Sequence, residues 1–192
     1  MPISEVFIQL FNTSESWPHL KKTVFSTYLI NTIVLTIGTG LLSTLIGVFC
    51  AWVIACCEFP LKKFFEWALI LPLAIPTYVS AYAYFDILEL SNPILIWVRE
   101  NINLEAMQSL NSFFVYFFTI LVLSSVLYPY IYLLARASFL KQGNQLIEAG
   151  LSLGHNINEI FWKIALPMAR PAVFAGLSLV IMETLNDYGA VK

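Results

Sequence analysis

Charge is scarce in this chain. Asp, Glu, Lys and Arg make up only 11% of its 192 residues, against about 25% in a soluble domain. A soluble globule of this size could not cover its surface with so few charges. The 10 basic residues form no block, which argues against nucleic acid as a partner. Cys50, Cys56 and Cys57 sit at one end of an apolar run, and His19 and His155 are far apart, so no Cys/His metal spacing exists. We assign no metal site and no catalytic residue. No phosphate loop of the Gly-x4-Gly-Lys-Ser/Thr kind occurs. Residues 1–20 lack the basic start and apolar core of a signal peptide, so insertion is expected to rely on the spans themselves.

What is present is apolar. Hydrophobic residues make up 59% of the chain and aromatics 15%, and mean hydropathy is +0.77. Disorder is excluded, because disordered chains are poor in apolar residues. The fold class is all-α: a polytopic bundle of transmembrane helices. Charge-free intervals run over 23–57, 67–85, 106–135 and 171–182. A spanning helix needs about 20 apolar residues, which predicts spans near 28–57, 67–87, 113–135 and 170–191. The last is long enough only if Glu183 and Asp187 lie inside the membrane. With the 58–66 and 136–169 links facing the cytoplasm, the inner segments hold Lys62, Lys63, Arg136, Lys141, Lys163 and Arg170. The outer segments hold Lys21, Lys22 and Arg99. The positive-inside rule supports that orientation, with the N-terminal 1–20 segment outside.

Ser43, Gly47, Ala51 and Ala55 recur at four-residue spacing, a stripe that lets a second helix approach closely in lipid. Pro72 and Pro76 fall in one span and predict a kink packed within protein.

Residues 145–171 are the most informative. Gly154 fits a helix stop. Asn156, three residues before Glu159, fits a capping box with Asn in place of Ser or Thr. Ile157, Ile160, Phe161 and Ile164 repeat as the apolar side of a second helix, which Pro167 ends. Two short helices at a sharp turn make either a knob for a partner's groove or a hairpin lying on lipid.

This segment resembles the coupling loop of binding-protein-dependent ABC importer permeases: Glu-Ala-Ala, three residues, Gly, nine residues, Ile-x-Leu-Pro. The chain reads Glu148-Ala149-Gly150, then Gly154, then Ile164-Ala165-Leu166-Pro167. Every spacing matches, and Gly150 replaces the usual Ala, a change expected to soften the helix. Asn31-Thr32, LPLAIPTYVSAYAY at 71–84 and METLNDYGAV at 182–191 are similar to the iron(III) branch. The resemblance implies a domain over 21–192 with a cytoplasmic coupling hairpin in 136–169. It also implies that the chain is an incomplete permease subunit of a bacterial inner-membrane importer. Iron(III) would cross by ATP-driven alternating access. Glu148, Ala149, Gly150, Gly154, Ile164, Leu166 and Pro167 would form the ATPase-coupling element. The implied partners are an ABC ATPase that binds the ATP, a periplasmic substrate-binding protein, a second permease half (fused or separate) and the lipid bilayer. This chain itself would be no enzyme and carry no cofactor. Other branches move thiamine, polyamines, sulfate, molybdate or phosphonates. A non-transport membrane scaffold is a further alternative.

Glu183 and Asp187 are four residues apart and share a helix face. A carboxylate at mid-membrane costs at least about 2.5 kcal/mol. Glu183, Asn186, Asp187 and Tyr188 would therefore line a route whose negative potential suits a cation. Alternatively, the helix breaks at Asn186 and both acids bond backbone donors. Gly150-Leu151-Ser152-Leu153-Gly154 also fits a hydrolase nucleophile elbow, which would need a strand–turn–helix around Ser152.

Overall fold

The structure, a computed structural model, describes residues 25–76, 79 and 104–187. The elements are α1 (Phe25–Cys56), α2 (Lys62–Ala68), a 3₁₀ turn (Leu71–Ala74), α3 (Leu104–Ser152), α4 (Ile157–Ile160), a π-turn (Phe161–Ala165) and α5 (Leu166–Asp187). No strand occurs among the described residues, so the all-α reading holds. The chain divides into two units, Met1–Val34 and Leu35–Lys192. The interhelical packing that follows lies within the second.

α1 has no proline, and two of its hydroxyls turn back on their own backbone. Thr32 Oγ1 donates to the Tyr28 carbonyl at 2.8 Å, and Thr44 Oγ1 to that of Gly40 at 2.6 Å. Such bonds satisfy polar side chains where lipid offers no partner. The predicted small-residue stripe packs as expected: Ser43, Gly47 and Ala51 are buried and Ala55 half-buried. Opposite it, Ile37, Leu41, Leu45 and Phe49 are exposed at four-residue spacing, an apolar face suited to lipid. At the end of α1, Pro60 and a left-handed Leu61 (φ 67°) redirect the chain into α2.

Three helices meet at Ile131 of α3, which is fully buried. A Cβ on Gly47 of α1 would stand 2.9 Å from Ile131 Cβ, and one on Gly176 of α5 would stand 2.8 Å from Ile131 Cα. Glycine at both positions is what lets the backbones come this close. Nearby, Ser124 Oγ donates to the Thr39 carbonyl at 3.3 Å. Lower down α3, Arg136 pairs with Glu66 of α2 at 3.1 Å. Tyr132 Oη donates to the Glu66 carbonyl at 3.4 Å.

Three stretches are long and apolar enough to cross a membrane: Tyr28–Cys56, Phe114–Gly143 and Ile157–Asn186. Two sequence-based boundaries need correction. The third helix does not end at 135. Its ion pair with Glu66 accommodates Arg136, and α3 runs on to a kink at Gly143 (φ 69°, ψ 165°) and then to Ser152. Nor does Pro167 end a helix. The chain stays helical from Ile157 to Asp187, through the π-turn that precedes that proline. The predicted second span, 67–87, lies mostly outside the described residues. Its described start leaves α2 at Ala68 and makes a 3₁₀ turn around Pro72, so the helix is interrupted there, but Leu71, Ile75 and Pro76 are exposed rather than packed within protein. The 1–20 segment also lies outside the described residues.

Candidate coupling site

The second half of α3 ends in a glycine-terminated turn. Gly154 has φ +83°. Its N–H donates to the Leu151 carbonyl at 2.9 Å, and the His155 N–H reaches back to the Gly150 carbonyl at 3.1 Å. This paired arrangement is a Schellman cap, which needs the left-handed residue that glycine supplies without strain. The next helix starts at once. Asn156 is its N-cap, in extended conformation, and forms a capping box with Glu159. The Asn156 N–H donates to Glu159 Oε2 at 3.4 Å.

Glu159 is the electrostatic centre of the turn. Lys163 Nζ donates to Oε1 at 3.1 Å, and His155 Nδ1 lies 3.1 Å from Oε2. Hydrogen bonds from His155, Lys163 and the Asn156 backbone, in that order, hold its carboxyl down to about 2. A helical run over Ile157–Asn186 is about 45 Å long at 1.5 Å per residue, while a hydrocarbon layer is roughly 30 Å thick, so an upright helix has room to keep this charged first turn outside the layer.

Ile160 clamps the hairpin. It is 1% exposed, and a Cβ on Gly150 would stand 2.7 Å from its Cδ1 and 2.8 Å from its Cγ1. The glycine expected to soften the motif is therefore a notch that seats Ile160. The π-turn follows from Pro167. A proline there cannot donate to the Lys163 carbonyl, and its ring crowds that oxygen. The turn before it widens, and the Leu166 N–H bonds the Phe161 carbonyl instead. Gln142 Nε2 of α3 donates to the Ala165 carbonyl at 3.3 Å. Trp52 of α1 lies between Phe139 and Phe161, with ring centroids 5.4 and 4.9 Å away.

The predicted coupling residues thus divide by position. Glu148, Ala149 and Gly154 are exposed at the tip, together with Leu151, Ser152 and Leu153. Gly150 is buried, and Ile164, Leu166 and Pro167 are half-buried behind it. Ile157, predicted on the apolar side, is exposed, because it opens the short helix at the tip. Glu183 is half-buried on α5 and Asn186 exposed, while Asp187 closes the helix. Tyr188 lies outside the described residues. Ser152 is no nucleophile elbow. It ends a helix rather than following a strand, and its Oγ donates to the Glu148 carbonyl at 2.8 Å. Sequence reasoning missed Trp52, Gln142 and Gly143. The polar, glycine-bearing run Lys141-Gln142-Gly143-Asn144, interrupting an apolar helix, was the available signal for the last two.

The family described as binding-protein-dependent transport system inner membrane component matches residues 43–192. The chain is similar to the Fe(3+)-transport system permease protein FbpB 2 of Haemophilus influenzae, 28% identical over 84% of this chain and 28% of that protein. It is also similar to the probable sulfate transport system permease protein cysT of Chlorokybus atmophyticus, 27% identical over 84% of this chain and 56% of that protein. Similarity to the sulfate transport system permease protein CysW of Escherichia coli K12 covers 100% of this chain and 64% of that protein, at 25% identity. The chain therefore spans between 28% and 64% of the length of these relatives. It belongs to this family of inner-membrane transport components, as a multi-pass membrane protein.

Proposed function

From that membership and from the hairpin, we propose that the chain is the membrane-spanning part of an importer permease that carries iron(III) inward. A separate ATPase grips the hairpin from the cytoplasm, a periplasmic binding protein delivers substrate, and a second permease half completes the route. The observation that carries this reading is the hairpin itself. Glu148, Ala149, Leu151 and Leu153 stand exposed on a turn that a Schellman cap, a capping box and a buried isoleucine hold in one shape. A preformed knob with an acidic and apolar tip suits insertion into a partner's groove, since little ordering entropy remains to be lost on binding. Ile164, Leu166 and Pro167 brace the knob from behind and carry the chain into α5.

Iron(III) is supported by the acidic pair on α5 and by the likeness to the permease named for Fe(3+). Two carboxylates in a membrane helix favour a cation over an anion along the same path. Sulfate is the second reading, favoured by the relatives named for it. The test uses the full-length permease. The ATPase is expected to copurify with it, and Glu148→Ala or Gly154→Pro to abolish that association. Retention by both variants would reject the docking role. Uptake of radiolabelled iron(III) against sulfate in reconstituted vesicles separates the two substrates. Full iron uptake by a Glu183→Gln/Asp187→Asn double variant would remove Glu183, Asn186, Asp187 and Tyr188 from the pathway.

A further inference from the structure

α3 and α5 are covalently continuous with the hairpin, so any displacement of the hairpin reaches them along the backbone. α1 has no such connection and must be moved through side chains. Trp52 fills that place. It is half-buried near the end of α1. Its ring stands 4.9 Å from Phe161, in the π-turn, and 5.4 Å edge-on from Phe139, in α3. Phe139 is 4% exposed and so cannot swing aside. Phe161 in turn touches Trp162 at 5.0 Å, which is exposed on the hairpin's outer side. The rings thus run from the hairpin surface to the inside of α1. A π-turn is a weak point in a helix, often found where a segment works as a hinge. Here the Ala165 carbonyl in that turn is held to α3 by Gln142. Phe161 follows directly on Ile160, which is buried against Gly150, and is carried with the hairpin while the turn absorbs the change of direction. Five residues before Trp52, Gly47 crosses Ile131, where the backbones are closest and α1 has a fixed point to tilt about.

We propose that Trp52 is a positioning residue through which movement of the coupling hairpin is passed to α1. This rests on the hairpin being the ATPase contact, as argued above. Held between Phe139 and Phe161, the indole makes α1 and the hairpin one body during the transport cycle.

The test uses the full-length permease, assembled with its ATPase and binding protein in proteoliposomes, with ATP hydrolysis and substrate uptake measured together. Trp52→Ala is expected to keep ATP hydrolysis within about twofold while uptake per ATP falls at least about tenfold. Trp52→Phe restores most of the yield. An unchanged yield in Trp52→Ala overturns the proposal. A second measurement decides the matter even if Trp52→Ala fails to assemble. Trp52→Cys and Phe161→Cys, in a chain whose native cysteines are replaced by serine, are joined by a short bifunctional thiol reagent. Without the reagent the cysteine pair, which lacks both rings, loses uptake per ATP as Trp52→Ala does; the link rejoins α1 to the hairpin and is expected to restore most of it. A link that forms and leaves uptake per ATP as low as before, or lowers it further, overturns the proposal. If the unmodified permease binds no ATPase at all, the docking reading fails first, and that result is distinct from either of these.

Discussion

At Gly150 two effects of similar size oppose each other. Alanine would favour the helix by about 1 kcal/mol. Its Cβ would also stand 2.7 Å from Ile160 Cδ1, and overpacking a full site costs roughly 1–3 kcal/mol. Ile160 is 1% exposed and has nowhere to move, so packing wins. Gly150→Ala should destabilise the purified permease by about 1 kcal/mol. In an Ile160→Ala background, which removes both Cγ1 and Cδ1, Gly150→Ala should cost nothing further. Denaturant melts of the two single variants and the double variant check both, and an equal cost of Gly150→Ala in the two backgrounds would refute the notch. Glu159 has the opposite kind of constraint. Its carboxyl is held down to about 2 by its three donors. A carboxylate with a depressed value supports the fold fully above the ordinary value of about 4.5 and loses that support as pH falls through about 2. Hydrogen exchange at Asn156, corrected for its intrinsic rate, should rise across that window in the wild-type protein. In Glu159→Gln it should be flat. These residues were unequally legible. Gly154 and the Asn156–Glu159 cap could be read directly, because a cap is a local pattern. The role of Gly150 could not, because its partner is ten residues away across the turn and spacing carries no information about a Cβ distance.

Among the elements, glycine sets how closely the helices approach, and its positions differ in consequence. A Cβ on Gly176 meets the backbone of Ile131 at 2.8 Å, whereas one on Gly40 meets only the tip of Leu177 at 3.1 Å. Backbone cannot yield as a leucine methyl can. Gly176→Ala should therefore cost about 1–2 kcal/mol, while Gly40→Ala should lie near zero, its strain offset by helix propensity. Thermal unfolding in detergent compares the two, and equal effects would contradict the Ile131 crossing. The spans themselves were visible as charge-free runs, and the small-residue stripe on α1 as a four-residue repeat. The ends of α3 and of the hairpin helix were not. A charge such as Arg136 marks a membrane boundary only when it lacks a partner, and Glu66 lies 70 positions away in the chain. Pro167 looks like a helix stop unless the preceding turn is free to widen, and here it widens into the π-turn.

At the scale of the whole molecule, a stiff, charged turn joins two helices that are long and apolar enough to cross a membrane. Length, composition and the coupling motif were enough to place the chain among inner-membrane transport components. The route through the membrane depends on how helices meet, which the sequence does not state. The claim on which the rest depends is the side on which the hairpin stands. Leu153 is 78% exposed at its tip, a position where a single cysteine can be labelled without disturbing a contact. In the full-length permease, with Cys50, Cys56 and Cys57 replaced by serine, Leu153→Cys should resist a membrane-impermeant maleimide in intact cells. It should react in inside-out vesicles and be shielded there when the ATPase is bound. Labelling from the outside of intact cells would contradict the account.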